Sequence, residues 1–278
     1  MTSTTNTFEK LISGFAYSPK SNSKRKNEED SQNTALVQPK RVKVELPWEG
    51  SNKSPKHGVH DYLKPGLDVV FCGINPGEMS AALGHHFANP VNHFWACLHQ
   101  GGFTPTLLRP SEDATLPERF NLGMTNLVTR STQTAAELSK SELQSGVPDF
   151  LAKIALYKPK IVCFVGMGIA DNVLEWINTR ADSDGERKVK GKRKVKVPGP
   201  GLLPIKLVHS EEQAEEGKVE STLLYAVSST SGRVVKYQKS DKIKQFQAVR
   251  ALLDEINSSG SGVSLGLTPV QIVDLILP

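Results

Sequence analysis

Two short apolar runs, each introduced by a proline and closed by a glycine, constrain this chain more than any other feature. Leu67-Asp68-Val69-Val70-Phe71-Cys72 follows the turn Pro65-Gly66 and stops at Gly73. Ile161-Val162-Cys163-Phe164-Val165 follows Pro159-Lys160 and stops at Gly166. Runs of this length that do not alternate with polar residues belong to strands buried on both faces, as in a parallel sheet with helices on either side. Residues 204–208 and 223–227 read as two further strands.

Helical spacing fills the intervals. One helix is expected from Pro90 through Leu98 to the glycine stop Gly101-Gly102, and another over 148–157. A third over 168–178 places Ile169, Val173, Leu174 and Ile177 on one face. The last, over 242–256, spaces Ile243, Phe246, Val249, Leu252, Leu253 and Ile256 at helical intervals. Strands separated by helices predict a three-layer α/β/α domain around a central, mainly parallel sheet.

The flanks cannot join that core. Residues 1–60 hold ten Lys or Arg and six Asp or Glu among Ser, Asn, Thr and Pro, with no apolar period. Such a segment buries too little to offset the entropy of ordering, so a disordered basic tail is expected. Its densest basic run, Pro39-Lys40-Arg41-Val42-Lys43-Val44-Glu45, suits nuclear import or nucleic-acid contact, and a plain soluble tail would look the same. The domain is expected over 61–257, with a charged insertion at 180–220. Within that insertion, residues 180–196 alone carry eight basic and three acidic side chains. The C-terminal tail, 258–278, ends in a β-prone run, Val270 to Leu277, which either covers a sheet edge or stays available to a partner.

Composition narrows the class. Three cysteines, Cys72, Cys97 and Cys163, are too few for a secreted disulfide framework and sit in apolar settings. No run is long and apolar enough for a membrane helix, so an intracellular protein with no membrane partner is expected. The formal net charge of +5 favours polyanions only weakly.

Gly166-Met167-Gly168-Ile169-Ala170-Asp171 offers two glycines of a dinucleotide fingerprint, but Asp171 stands where the third belongs, so a structural turn is expected. His85, His86, His93 and His99 lie close to two cysteines, yet their spacing matches no metal motif, and no metal or nucleotide cofactor is expected. Gly73-Ile74-Asn75-Pro76-Gly77 occupies the C-terminal end of the first strand, where open α/β sheets place ligands. It lacks the Gly-Lys-Ser/Thr of a phosphate loop and the serine of a nucleophile elbow. What it offers is an amide at a crevice, able to orient a water but not to act as a strong base. From physics alone it is either a structural turn or a polar active-site turn.

These residues carry a family resemblance. Gly73-Ile74-Asn75-Pro76-Gly77, then Gly84-His85-His86-Phe87 and Asn92-His93-Phe94-Trp95, resemble the mismatch-specific thymine/uracil DNA glycosylase family, within the uracil-DNA glycosylase superfamily. So do Leu122-Gly123-Met124-Thr125-Asn126-Leu127-Val128 with Arg130, and Ser229-Thr230-Ser231-Gly232-Arg233. The likeness spans about residues 60 to 255, less the charged insertion.

The resemblance implies removal of uracil or thymine opposite guanine in duplex DNA, leaving an abasic site for base-excision repair in the nucleus. Asn75 would position the water that attacks the sugar C1′. Asn126 would hydrogen-bond the flipped base, with His86 near its edge and Phe87 packed on it. Ile74 and Gly77 would shape the pocket through their backbone. Ser80 stands where vertebrate relatives have alanine beside the pyrimidine 5-position. Arg233 would be the wedge that enters the vacated stack, with Ser229, Ser231 and Gly232 around it on DNA. Val227-Ser228 replaces the family's Met-Pro or Asn-Pro, which leaves the wedge loop less pre-organised. Lys236, Lys239, Lys242 and Lys244 would face phosphates.

The implied partner is double-stranded DNA carrying a G·U or G·T mismatch, bound by a monomer. SUMO or SUMO-modified proteins are further expected partners, through Lys43 as acceptor and the run around Asp274 as a binding strand. The alternative is a non-catalytic mismatch-binding or chromatin-recruitment protein on the same fold.

Overall fold

The structure, a computed structural model, describes residues 58–181, 197, 199–209, 219–259 and 265–276. The basic run at 39–45, most of the basic stretch 180–196 and the acidic residues 211–218 lie outside them.

The described chain runs β1 (Val69–Gly73), α1 (Glu78–Leu83), α2 (Phe94–Gln100), α3 (Leu116–Phe120), β2 (Leu122–Asn126), α4 (Lys140–Tyr157), β3 (Ile161–Val165) and α5 (Met167–Ala181). It continues with β4 (Gly201–Val208), β5 (Ser221–Val227), α6 (Lys239–Ser259), β6 (Thr268–Gln271) and α7 (Ile272–Ile276). The strands form one sheet in the order β2-β1-β3-β5-β4-β6. The first four in that order are mutually parallel, β4 is antiparallel to β5, and β6 is parallel to β4.

Period-two alternation along the strands builds a core on each face. Val70, Cys72, Val162, Phe164, Leu224 and Ala226 point to one side, against Phe150, Leu151 and Ile154 of α4 and Ile169, Val173 and Ile177 of α5. Val69, Phe71, Ile161, Cys163, Tyr225 and Val227 point to the other, against Phe94 and Leu98 of α2 and Phe246, Val249 and Leu253 of α6. This is the expected three-layer α/β/α domain with a mainly parallel sheet. All three cysteines are core members, and burial pushes their thiols up.

Several elements differ from expectation for local reasons. Strand β2 carries too few β-branched residues to be recognised, but Gly123 lets it pass close to Leu67 and the Tyr62 carbonyl. Helix α4 begins well before Pro148, because Ser139 and Glu142 form a capping box, with Ser139 Oγ accepting from the Glu142 N–H. The stretch expected as one charged insertion, 180–220, contains β4. The C-terminal run covers the sheet edge beside β4, and Ile272 and Leu275 are buried in the core. Ile272 and Leu275 are thereby committed to the domain, while Val273 is exposed.

Topology places the crevice. The chain leaves β1 and reaches β2 through α1, α2 and α3, then crosses to β3 through α4 on the opposite face. The connections after β1 and β2 therefore lead to helices on opposite faces of the sheet, the switch point at which open α/β sheets bind ligands.

Candidate active site

Beyond their last paired residues, β1 and β2 stay zipped. Leu127 N–H donates to the Gly73 carbonyl and Val128 N–H to that of Ile74, each at 2.9 Å; Thr132 N–H then donates to the Pro76 carbonyl at 3.1 Å. The two loops thus advance side by side and bring Asn75 opposite Thr132.

Asn75 is half-buried, and both its amide hydrogens are engaged. Nδ2 donates to the Arg130 carbonyl at 2.8 Å and to the hydroxyl oxygen of Thr132 at 2.7 Å. A carbonyl can only accept, so the amide orientation is fixed by the chemistry of its partner. Its Oδ1 accepts from no protein group among the described residues. Arg130 is itself anchored: Nε donates to Glu142 at 2.7 Å and Nη2 to the Glu137 carbonyl at 3.2 Å. The guanidinium, with the Ser139 N–H, holds the Glu142 carboxyl down at about 2.

Asn126 ends β2 directly opposite Gly73 in register and is buried. A Cβ on Gly73 would collide with Asn126 Oδ1 and come within 3.3 Å of Phe87 Cζ. Glycine is required there because an amide and an aromatic ring close over the strand end. Phe87 has φ of 49°, a conformation bulky residues rarely adopt, and its ring stacks on Phe94 at 4.1 Å and 11°. Backbone strain of this kind costs on the order of 1–3 kcal/mol and persists where surrounding contacts over-determine it.

Those contacts are identifiable. Asp113, fully buried, accepts from His86 N–H at 2.8 Å and lies 3.0 Å from His85 Nδ1. Ser80 Oγ accepts from Ala88 N–H at 3.0 Å, and Trp95 Nε1 donates to the His86 carbonyl at 3.2 Å. His86 is buried, and that burial pushes its imidazole toward the neutral form. Because a carbonyl only accepts, its Nε2 is the donor to the His60 carbonyl, 2.8 Å away. His86 and Ser80 thus hold the loop that presents Phe87.

The motif Asn92-His93-Phe94-Trp95 acquires a physical meaning. Asn92 Oδ1 accepts from Phe94 N–H at 3.0 Å and starts α2. His93 N–H donates to the Thr230 carbonyl at 2.9 Å, tying the loop after β5 to this helix. Phe94 stacks beneath Phe87, and Trp95 fixes His86.

Arg233 stands exposed at the rim, with Nη1 3.4 Å from the Gln133 carbonyl, one residue beyond Thr132. Ser229 Oγ accepts from Ser231 N–H and Ser231 Oγ from Arg233 N–H, both at 3.3 Å, so both hydroxyls shape the loop. A Cβ on Gly232 would strike the Val91 carbonyl. Gly77 is exposed at the start of α1, with open space where a side chain would project. Ile74 is half-buried, and its carbonyl takes part in the zipper.

One expected DNA contact is corrected. Lys236, Lys239 and Lys244 are exposed, but Lys242 is completely buried and does not face phosphates. Thr132 and Asp113 were not among the expected site residues. Thr132 lies two positions beyond Arg130 of a recognised motif, which was the available signal; nothing in the sequence distinguishes Asp113. Among the described residues no group of three His, Cys, Asp or Glu could hold a metal ion. No helix among them is long and apolar enough to cross a membrane.

The sheet crevice thus carries an amide held through both its hydrogens, a buried second amide and a strained aromatic ring. The uracil DNA glycosylase superfamily model matches residues 60–256, and the chain belongs to that superfamily. Among solved structures, it is similar to the solution NMR structure of a candidate uracil DNA glycosylase from Methanosarcina acetivorans. That match has 14% identity and a TM-score of 0.41, over 70% of this chain and 98% of that one.

Proposed function

We propose that this protein hydrolyses the N-glycosidic bond of uracil or thymine opposite guanine in duplex DNA, leaving an abasic site. The observation that carries the reading is the fixed carboxamide of Asn75. With both amide hydrogens held by Arg130 and Thr132, its Oδ1 is the group left to accept a hydrogen bond from a water.

The target nucleotide is first extruded from the stack, at a cost of a few kcal/mol that is lowest at a mismatch. Its base enters between Asn126 and Phe87, and Asn75 directs the water at C1′. The new C–O bond forms as the N1–C1′ bond breaks; the electron pair leaves on the pyrimidine and the water's proton passes to solvent. An amide orients but does not accept that proton, so the chemical step is slow and follows the leaving group. Electron-withdrawing 5-substituents should speed release, which ranks 5-fluorouracil above uracil and uracil above thymine. The protein would act in the nucleus on base-excision repair substrates.

Single-turnover base release from G·U, G·T, G·5-fluorouracil and A·U duplexes tests the reading. Release in the order 5-fluorouracil, uracil, thymine, with the mismatched uracil favoured over the paired one, is expected. Absence of release from every duplex, with retained mismatch binding, would establish the non-catalytic alternative.

A further inference from the structure

The loop carrying Arg233 is closed from beneath by a lysine that has no carboxylate partner among the described residues. Ser231, Gly232, Arg233 and Val234 form a turn in which Val234 N–H donates to the Ser231 carbonyl at 3.2 Å. Lys242, on the first turn of α6 and completely buried, donates from Nζ to the Ser231 carbonyl at 3.0 Å and to the Val234 carbonyl at 3.2 Å. One ammonium therefore clamps both ends of the turn whose tip is Gly232-Arg233. Three residues further along α6, Gln245 Oε1 accepts from Ser228 N–H at 2.7 Å, fixing the point where the loop leaves β5.

No carboxylate among the described residues pairs with Lys242. A buried, unpaired cation is destabilising unless its hydrogen bonds are satisfied, so its presence here calls for a reason beyond packing. Burial lowers the affinity of this amine for its proton, yet the two carbonyls are acceptors for its N–H groups in either charge state. Val227-Ser228 supplies no proline ring to stiffen the loop, and the clamp supplies stiffness from below.

Building on the glycosylase reading, we propose that Lys242 is a positioning residue for base extrusion: it holds the 231–234 turn so that Arg233 projects outward into DNA. Arg233 touches the nucleic acid and Lys242 acts through it. Without the clamp the turn samples several orientations, and the wedge enters the stack only from a fraction of them.

The test measures extrusion apart from chemistry. The full-length protein is bound to a G·U duplex whose uridine carries a 2′-fluoro group, which resists hydrolysis, beside 2-aminopurine as a reporter of unstacking. Lys242→Met keeps the stem volume and removes the donors; Lys242→Gln keeps one amide donor on a shorter stem, and thermal melting checks that each variant folds. We expect the extrusion equilibrium to fall by roughly tenfold or more in Lys242→Met, the worth of at least one net hydrogen bond. Base release from a single-stranded uracil oligonucleotide, which needs no wedge, should stay within about twofold of the wild type. In an Arg233→Ala background the Lys242→Met change should have no further effect on extrusion.

Equal losses on duplex and single strand, additive losses with Arg233→Ala, or unchanged extrusion in a folded variant would each overturn the proposal. Normal wild-type fluorescence without base release from hydrolysable DNA would sink the glycosylase reading alone, because extrusion is scored on its own.

Discussion

Asn75 and Thr132, 57 residues apart, are joined by a hydrogen bond of 2.7 Å in which the Asn75 amide donates to the threonine hydroxyl. The contact exists because the loops after β1 and β2 remain paired through Thr132 N–H and the Pro76 carbonyl. It restricts the rotation of the group proposed to hold the attacking water. Thr132→Val removes the acceptor while keeping the shape, and should lower single-turnover base release by about tenfold, the worth of one hydrogen bond. Thr132→Ser should restore most of it, and DNA affinity should be unchanged in both. Equal rates in all three proteins would show that Asn75 needs no such support.

Gly73→Ala should be damaging out of proportion to one methyl group. The added carbon meets Asn126 Oδ1 and the edge of Phe87, and neither can retreat easily. Overpacking of this kind costs about 1–3 kcal/mol. Base release should fall further than stability, because Asn126 and Phe87 line the proposed base pocket. Chemical denaturation paired with single-turnover rates separates the two effects.

Asp113 is the support beneath Phe87. Asp113→Ala would leave His86 N–H without its buried acceptor and release His85. Unsatisfied buried groups cost about 1–3 kcal/mol each, so a lower thermal midpoint is expected together with weaker base release. A melting curve identical to the wild type would contradict the role given to this carboxylate.

His209 sets a pH dependence that is independent of the active site. Burial and nearby Lys158 push its imidazole down to about 4. Nε2 donates to the Thr222 hydroxyl at 2.8 Å, which donates onward to the Pro159 carbonyl, while buried Nδ1 has no partner among the described residues. The folded pKa lies below the unfolded value near 6.5, so between those values the unfolded chain binds the proton first. Stability is therefore complete above about pH 6.5 and is lost as pH falls toward 4, by up to about 3 kcal/mol. His86, also depressed by burial, adds in the same direction. His209→Gln should flatten the acid limb of denaturant-derived stability without altering base release at neutral pH.

Arg233→Ala should separate extrusion from product binding. The side chain is exposed at the crevice rim, so its removal should weaken extrusion at a G·U mismatch more than affinity for an abasic duplex, where the stack is already open. Undiminished preference for mismatched over matched DNA in the variant would count against a wedge.

The buried strands were legible because Val69 to Cys72 and Ile161 to Val165 are continuous apolar runs that physics assigns to a covered sheet. β2 was not, since Leu-Gly-Met-Thr-Asn has little strand character and is held by its neighbours. Within the site, Asn75 and Asn126 could be named from local motifs. The partners that orient them could not, because Thr132 meets Asn75 only through the pairing of two distant loops. Lys242 was expected on the surface with three neighbouring lysines, yet its helical register with Phe246, Val249 and Leu253 placed it on the buried stripe. That periodicity was the available signal, and charge alone pointed the wrong way.

The central claim is that the Asn75 carboxamide orients the attacking water, and its most direct test uses a substrate whose base leaves easily. Single-turnover release of 5-fluorouracil opposite guanine should fall by roughly 10²–10⁴-fold in Asn75→Ala, with mismatch affinity within a few-fold of the wild type. A release rate in Asn75→Ala equal to that of the wild type would contradict the claim.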